Sequence, residues 1–360
     1  MSTRTVIPMG PQHPVFPEPL QLKLSLKDEK IVDVAPALGY VHRGIEKAAE
    51  KNDFTQNVFL VERICGICSF IHAVCYCMAI EDIMKIELPP RANYLRVIWG
   101  ELHRLHSHML WLGLLADSFG FESLFMKFWE IRERILDILE KTTGARVIIS
   151  ACAIGGVRRD ISDEHLQEIL TVIDKCEKEL NGIIPVVMSD TTVKRRTVGV
   201  GVIEKEKAIH LGIVGPVLRA SGIAQDARMT GYGAYKYLDF KPVVEESGDC
   251  YARAVVRAKE TYQSIGLLRK AINQLPSGDI LTKYKGNPGK AAAVSRVEQP
   301  RGELIYYVEG NGTKNLERVR VRTPTFSNVP ALSKMLPGME LADAPVIVLS
   351  IDPCISCTER

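Results

Sequence analysis

The sequence predicts a mainly α fold with small β elements (α+β), a central bundle of long helices with strand segments toward both chain ends. Three observations carry this. Apolar residues recur every three to four positions through the middle of the chain. They alternate with polar ones near the start, at Leu20, Leu22, Leu24 and Leu26. A β-branched and aromatic pattern returns over 291–323, where Leu304-Ile305-Tyr306-Tyr307-Val308 stands.

Each element follows in order. LKLSLKDEKIVDV (22–34) reads as a hairpin with Lys27-Asp28-Glu29-Lys30 as its turn. From Asn52 the pattern turns helical, with Asp53 or Thr55 as cap and Val58, Val61, Glu62 and Arg63 on the helix. After Pro89-Pro90 a long helix runs from Arg91 to about Ser118 on Leu95, Ile98, Leu102, Leu105, Met109, Leu112 and Leu115. Further helices are expected at 122–141, 163–181 and 249–274. A Gly155-Gly156 turn ends the segment before 160, and 197–240, rich in Gly, reads as irregular chain around a site. The tail VIVLSIDPC (346–354) reads as a strand, expected to lie near the strand-like start. No repeat or linker interrupts residues 1–360. We expect one domain with an N-terminal β lobe (1–50), a helical core (51–290) and C-terminal β segments with a tail (291–360).

Composition removes several function classes. The chain has 360 residues, 46% hydrophobic and 25% charged, with net charge +3. That excludes a disordered chain and a polybasic nucleic-acid arm. The cluster Lys194-Arg195-Arg196 lacks interleaved aromatics and reads as a solvated loop or subunit contact, so no nucleic acid is expected. The most apolar stretch, Met109 to Trp129, carries Asp117, Glu122 and Lys127, too many charges for a membrane span. The start shows no apolar secretory segment. Nine cysteines are too sparse for a disulfide scaffold and suit a reducing compartment.

The strongest local signals are two Cys-x-x-Cys pairs, Cys65/Cys68 and Cys354/Cys357. Two intervening residues let both sulfurs reach one metal, and four thiolates suit Zn, Fe or a soft metal such as nickel. A structural zinc knuckle keeps its pairs about 15–20 residues apart. Here nearly the whole chain separates them, which favours a central buried metal over a local staple. Either pair alone also fits a thioredoxin-like redox motif. His72, seven residues after Cys65 and four after Cys68, is expected on their face of a helix. There it either tunes a metal-bound sulfur or is a satisfied core histidine. Cys75, Cys77, Cys152, Cys176 and Cys250 read as packing, too scattered for an Fe–S cluster. His103, His106 and His108 do not share one helix face and read as polar contacts.

Arg63-Ile64-Cys65-Gly66-Ile67-Cys68 with His72, and Asp352-Pro353-Cys354-Ile355-Ser356-Cys357 near the end, together resemble the paired signatures of the large subunit of [NiFe] hydrogenases. Gly10-Pro11-Gln12-His13-Pro14 with Glu18-Pro19 resembles the start of its membrane-bound, energy-converting branch. His42-Arg43-Gly44-Ile45-Glu46 and Gln299-Pro300-Arg301-Gly302-Glu303 resemble two more of its segments. With the cysteines lost, the same fold resembles the quinone-site subunit of respiratory complex I.

The resemblance implies roles. Cys65, Cys68, Cys354 and Cys357 hold nickel, with Cys68 and Cys357 bridging to an iron that carries CN and CO. Cys354 is the first proton acceptor, Glu18 the proton gate, and Arg301 the guanidinium over the open site. Pro300, Asp352 and His72 line the cofactor, with Asp352 a partner for Arg301. Asp117 falls near where relatives carry an acid close to the site. Glu46 corresponds to a ligand of a third metal, usually Mg. Arg360 stands where its histidine partner would be and has no lone pair to offer. We therefore expect an Arg360–Glu46 salt bridge in its place. No Fe–S cluster belongs to this chain, so an Fe–S small subunit, a ferredoxin-like subunit, ferredoxin and integral membrane ion-translocating subunits are implied partners. The implied location is the cytoplasmic face of the cell membrane, as a peripheral subunit. The other readings are a complex I-like quinone-reacting subunit, against which the four cysteines argue, and a zinc-stabilised scaffold without catalysis.

Overall fold

The computed structural model describes residues 5–14 and 16–360. Three antiparallel strands open it, β1 (Thr5–Met9), β2 (Gln21–Lys27) and β3 (Lys30–Ala37), in that order. The expected hairpin is present. Asp28 and Glu29 both take left-handed φ, 51° and 65°, the turn whose twist matches the flanking strands. Leu22, Leu24, Leu26 and Ile31 are buried on one face.

Two short helices follow, α1 (Ile45–Lys51) and α2 (Asn57–Glu62). Asp53 shapes the turn before α2. Its carboxylate accepts from the N–H and hydroxyl of Thr55 at 2.8 and 2.7 Å. The cap position itself is Gln56. The chain then bends through Cys65 and Cys68 into α3 (Ser69–Met84). The long helix is α4 (Pro90–Ser118), with proline in its first turn, where no intrahelical N–H is needed. It is buried nearly all round, as a central helix must be. α5 (Glu122–Thr143) packs along it. A two-strand ribbon, β4 (Cys152–Ala153) and β5 (Gly156–Val157), turns at the expected glycines.

α6 (Asp163–Ser189) is capped by Ser162, whose hydroxyl accepts from the His165 N–H. It runs eight residues past its expected end because Pro185 faces solvent, where water can satisfy the carbonyl it frees, while Ile184 and Val187 extend the buried stripe. The segment after it holds α7 (Thr191–Thr197), α8 (Lys205–His210) and α9 (Pro216–Arg219). The basic cluster lies on α7 rather than in a loop, and Arg196 is 3.2 Å from Asp343.

α10 (Cys250–Asn273), capped by Asp249, packs on α4. Buried ion pairs pin the irregular segment between α9 and α10. Arg219 meets Glu260 and Glu298 at 2.7 Å and Asp226 at 3.1 Å, and Arg228 meets Asp226 at 2.8 Å. A second antiparallel sheet follows, β6 (Ala292–Gln299), β7 (Gly302–Gly310) and β8 (Leu316–Arg322).

The tail corrects one expectation. Residues 346–354 form no strand; after α11 (Pro324–Asn328) and α12 (Leu332–Met335) come α13 (Ala344–Ser350) and α14 (Ile355–Glu359). Val346, Ile347, Val348 and Leu349 are all buried. A short apolar run buried on every side has no period to distinguish helix from strand, and packing overrides β propensity. The chain ends do meet: the Ile31 N–H donates to the Met339 carbonyl at 2.9 Å. Among the described residues no helix is long and apolar enough to cross a membrane.

Candidate metal centre

The two Cys-x-x-Cys pairs converge. Cys65 Sγ lies 3.3 Å from Cys354 Sγ, and Cys68 Sγ 3.4 Å from Cys357 Sγ. The sulfurs of Cys65, Cys68 and Cys357 are all within 4.8 Å of one another, and all four residues are buried. Local structure presents them. α2 stops at Glu62, and the turn lets the Ile67 N–H donate to Cys65 Sγ at 3.3 Å. On the other side the Cys354 N–H donates to Thr325 Oγ1 at 3.1 Å. Arg43 ties both loops, donating to the carbonyls of Arg63 and Ile64 at 2.8 Å and of Ser356 at 3.1 Å.

The electrostatics suit a cation. The thiols of Cys354, Cys357 and Cys68 hold Cys65 far below the usual cysteine range. Burial keeps Cys68 and Cys357 protonated, and the neighbouring Cys65 and Cys68 sulfurs help raise Cys354. Tetrahedral thiolate at about 2.3 Å from a metal places sulfurs about 3.7 Å apart, close to the spacings here. The donor set fits a soft, thiophilic metal.

Arg301 reaches this point from the β6–β7 turn, just after buried Pro300. Its Nη2 pairs with Asp352 Oδ1 at 2.9 Å, and its Nε donates to the Asp352 carbonyl at 3.0 Å. That double grip holds Asp352 at φ 53°, a left-handed conformation that a residue other than glycine adopts at a cost. The turn comes so close to the segment before α9 that a Cβ on Gly215 would lie 2.4 Å from the Arg301 carbonyl oxygen. Arg301 Nη1 contacts Ser107 Oγ on α4 at 3.4 Å. Asp117 is exposed at the end of α4, so the residue of this helix facing Arg301 is Ser107.

His72 stands on α3 with Nε2 3.5 Å from Cys357 Sγ and Nδ1 2.8 Å from Tyr306 Oη. Burial lowers its pKa to about 4, so the ring is neutral, while Tyr306 keeps its proton. With the Tyr306 O–H donating to Nδ1, the imidazole proton would sit on Nε2, toward a metal-bound thiolate at Cys357. His103 and His106 contact each other at 3.3 Å, and His108 contacts Glu260 at 3.1 Å.

Glu18 joins from the N-terminal loop. One oxygen accepts from the Ser356 N–H at 2.5 Å; the other accepts from the Ser356 hydroxyl at 3.0 Å and lies 3.6 Å from Cys354 Sγ. Burial, with the Cys65 charge adding to it, raises its pKa. Gly10 makes this loop possible: at φ 90°, any Cβ there would lie 2.0 Å from the Leu20 carbonyl oxygen.

Glu46 is paired with a guanidinium where a third metal would stand. Its Oε1 accepts from Arg360 Nε at 2.9 Å and from the Val321 N–H at 3.0 Å. A guanidinium fills the place of a cation, and Mg does not fit the residues present. Mg²⁺ should leave the thermal midpoint of the wild-type chain unchanged. Arg360→His should gain a Mg²⁺-dependent rise, read by calorimetry with and without chelator. No rise in that variant would mean that Glu46 lies outside any latent cation site.

One buried acid escaped the sequence reading. Glu62, three residues before Cys65, accepts from Ser150 Oγ at 2.7 Å, and its Oε1 has no partner among the described residues. Burial raises its pKa to about 7. Between about pH 4.5 and 7 the folded chain therefore holds a proton that the unfolded chain has released, and stability falls as pH rises through that window. From pH 5 to 8 this group should cost the wild type on the order of 3 kcal/mol, and Glu62→Gln should not show the loss. Urea unfolding at both pH values measures it; parallel pH slopes would mean that Glu62 titrates normally.

Residues 43–116 match the family model described as nickel-dependent hydrogenase. Residues 118–290 and 282–360 match the respiratory-chain NADH dehydrogenase 49 kDa subunit. The chain is 44% identical to the carbon monoxide-induced hydrogenase of Rhodospirillum rubrum, over 100% of both chains. It is 42% identical to the membrane-bound hydrogenase subunit alpha of Pyrococcus furiosus, over 98% of this chain and 87% of that one. It is 35% identical to an NADH-quinone oxidoreductase subunit of Thermodesulfovibrio yellowstonii, over 99% of this chain and 97% of that one. Four convergent buried cysteines and full-length likeness to hydrogenases lead to one conclusion: the chain belongs to the family of nickel-dependent hydrogenase catalytic subunits related to the 49 kDa subunit of respiratory-chain NADH dehydrogenase.

Proposed function

We propose that this chain interconverts H₂ with protons and electrons as the catalytic subunit of an energy-converting, membrane-bound [NiFe] hydrogenase. The observation that carries the reading is the convergence of Cys65, Cys68, Cys354 and Cys357 under Arg301. These four sulfurs would hold nickel, with Cys68 and Cys357 shared with an iron carrying CN and CO. When bound, such a centre supplies the metal chemistry for splitting H₂ heterolytically. The protein's own groups then divide the remaining work. Cys354 receives the proton at Sγ, and Glu18, 3.6 Å away and raised by burial, carries it outward. Arg301, fixed by Asp352, projects permanent positive charge into a dry site. His72 donates toward Cys357 and tempers the electron density on its sulfur. Pro300 stiffens the turn from which Arg301 projects.

Electrons would enter from a separate Fe–S small subunit fed by a ferredoxin-like subunit and ferredoxin, because the five remaining cysteines are scattered through the core. Integral membrane subunits would couple the reaction to ion translocation, with this chain peripheral at the cytoplasmic face. Relatives named as membrane-bound hydrogenase and formate hydrogenlyase subunits support that assembly. A quinone-reacting role has no use for four converging sulfurs.

Infrared spectroscopy of the purified complex tests the reading. Metal-bound CO and CN stretching bands, with nickel present beside iron, are expected. No such bands, or zinc alone, would sink it.

A further inference from the structure

Arg257 on α10 has no role in the chemistry proposed above, yet it is fully buried. Its guanidinium lies 4.4 Å from the centroid of the Trp111 ring, and its Nη1 donates to the Arg253 carbonyl at 3.0 Å. Its Nε and Nη2 have no partner among the described residues. Those two atoms form one edge of the guanidinium, the edge that grips oxygen ligands side-on. Leaving it dry and unbonded would be costly. Trp111, under Arg257, donates to the Leu349 carbonyl at 2.8 Å, which also accepts from the Asp352 N–H at 2.9 Å, and Arg253, one turn before Arg257, donates to Ser350 Oγ at 2.9 Å, so this part of α10 lies against the segment that carries Asp352. Asp352 also has an unused atom: Oδ1 is on Arg301, and Oδ2 has no partner among the described residues.

Two unused donors and one unused acceptor therefore sit in one buried, polar region. A species between them must accept from Arg257 and donate to Asp352. An anion only accepts and would face the Asp352 carboxylate; a metal cation would face the guanidinium. Water satisfies both sides. We propose that bound water links Arg257 to Asp352 Oδ2, so that Arg257 is a positioning residue for Arg301. α10 then anchors, through Arg257, water and Asp352, the guanidinium over the sulfurs. Without that anchor the Asp352 carboxylate is held by Arg301 alone, and beyond Asp352 the Arg301 guanidinium has a 3.4 Å contact to Ser107 on α4.

The inference rests on Arg301 and Asp352 belonging to the catalytic site, and the test separates the two claims. In the intact complex, with rates normalised to nickel content, Arg257→Met and Arg257→Lys should each lower kcat for H₂ production about tenfold at unchanged KM. Lysine keeps the charge and loses the two-atom edge, so the thermal midpoint of Arg257→Lys should stay near wild type while its rate does not. On an Asp352→Asn background, Arg257→Met should add less than a twofold further loss. A map of the complex that resolves waters should show one bonded to the Arg257 edge and linked to Asp352 Oδ2. Full rate in Arg257→Lys, additive tenfold losses, or an Arg257 edge bonded directly to protein groups would each overturn the proposal. Should Arg257→Met fail to fold, the lysine variant and the map decide. Wild-type rates in both Arg301→Lys and Asp352→Asn would overturn the reading of the site itself, and this inference with it.

Discussion

Cys65→Ser should leave a folded chain that retains less than about a tenth of the wild-type nickel and shows no measurable hydrogenase activity. The reason lies in which sulfur ionises. Cys65 carries the most stabilised thiolate of the four, held by the thiols around it. Metal must displace protons from the other three; burial makes Cys68 and Cys357 reluctant, and the neighbouring Cys65 and Cys68 sulfurs do so for Cys354. Serine there removes both the anion that first attracts the metal and one of four soft donors. Its hydroxyl is hard and stays protonated near neutral pH. The fold should lose only about 1–2 kcal/mol, the cost of one poorly paired buried hydroxyl. Cys176→Ala is the control. Cys176 lies on α6, with its sulfur against the Ile131 carbonyl, and the variant should keep its nickel. Nickel per chain by plasma mass spectrometry, beside circular dichroism, decides it. Nickel retention in Cys65→Ser would break the four-ligand assignment, and nickel loss in Cys176→Ala would break the separation of four ligand cysteines from five packing ones.

That separation was legible in the sequence because Cys-x-x-Cys is a local pattern, as were the periodic helices α4, α5 and α10 and the β2–β3 hairpin. Other features had no local signal. Which residue of α4 faces Arg301 was not legible, because a helix buried on all sides has no polar face to fix its rotation. Ser107 faces the site, and Asp117 points to solvent. The pairing of His72 with Tyr306 joins residues 234 apart, which no periodicity encodes. Arg43 was visible only as part of a motif; its work, bonding carbonyls on both cysteine loops, exists only once the chain ends meet. Glu62 looked like an ordinary polar position on a short helix. Its burial comes from the packing of the 147–152 segment, which brings Ser150 onto its carboxylate. The tail helix was misread for the related reason that complete burial erases the period on which strand and helix differ. Local chemistry can be read from sequence, whereas the partners that tune it are set by tertiary contacts.

Glu18→Gln should retain wild-type nickel and lose about 10²- to 10⁴-fold in turnover, the range for removing a positioned proton-transfer group. The amide oxygen can still accept from the Ser356 N–H, which now holds the carboxylate at 2.5 Å, so the loop and the Cys354 helix start should stay in place. What disappears is the ability to take a proton beside Cys354 and release it. Two effects prepare Glu18 for that task. Burial and the Cys65 charge raise its affinity for protons, while the Ser356 bonds and Arg301 oppose the rise. The balance brings a carboxyl closer to working pH, where a relay is most effective. Glu18→Asp keeps the acid but withdraws it by one methylene from a 3.6 Å contact, so an intermediate rate is expected. The pH profile supplies an independent check. If Glu18 must hold a proton in part of the cycle, its loss should remove a limb of the wild-type profile rather than scale the whole curve. Turnover per nickel, measured as H₂ production across pH 5–8 in the intact complex, reads both quantities. A Glu18→Gln enzyme with more than a third of wild-type turnover and an unaltered profile would move the proton route elsewhere in the site.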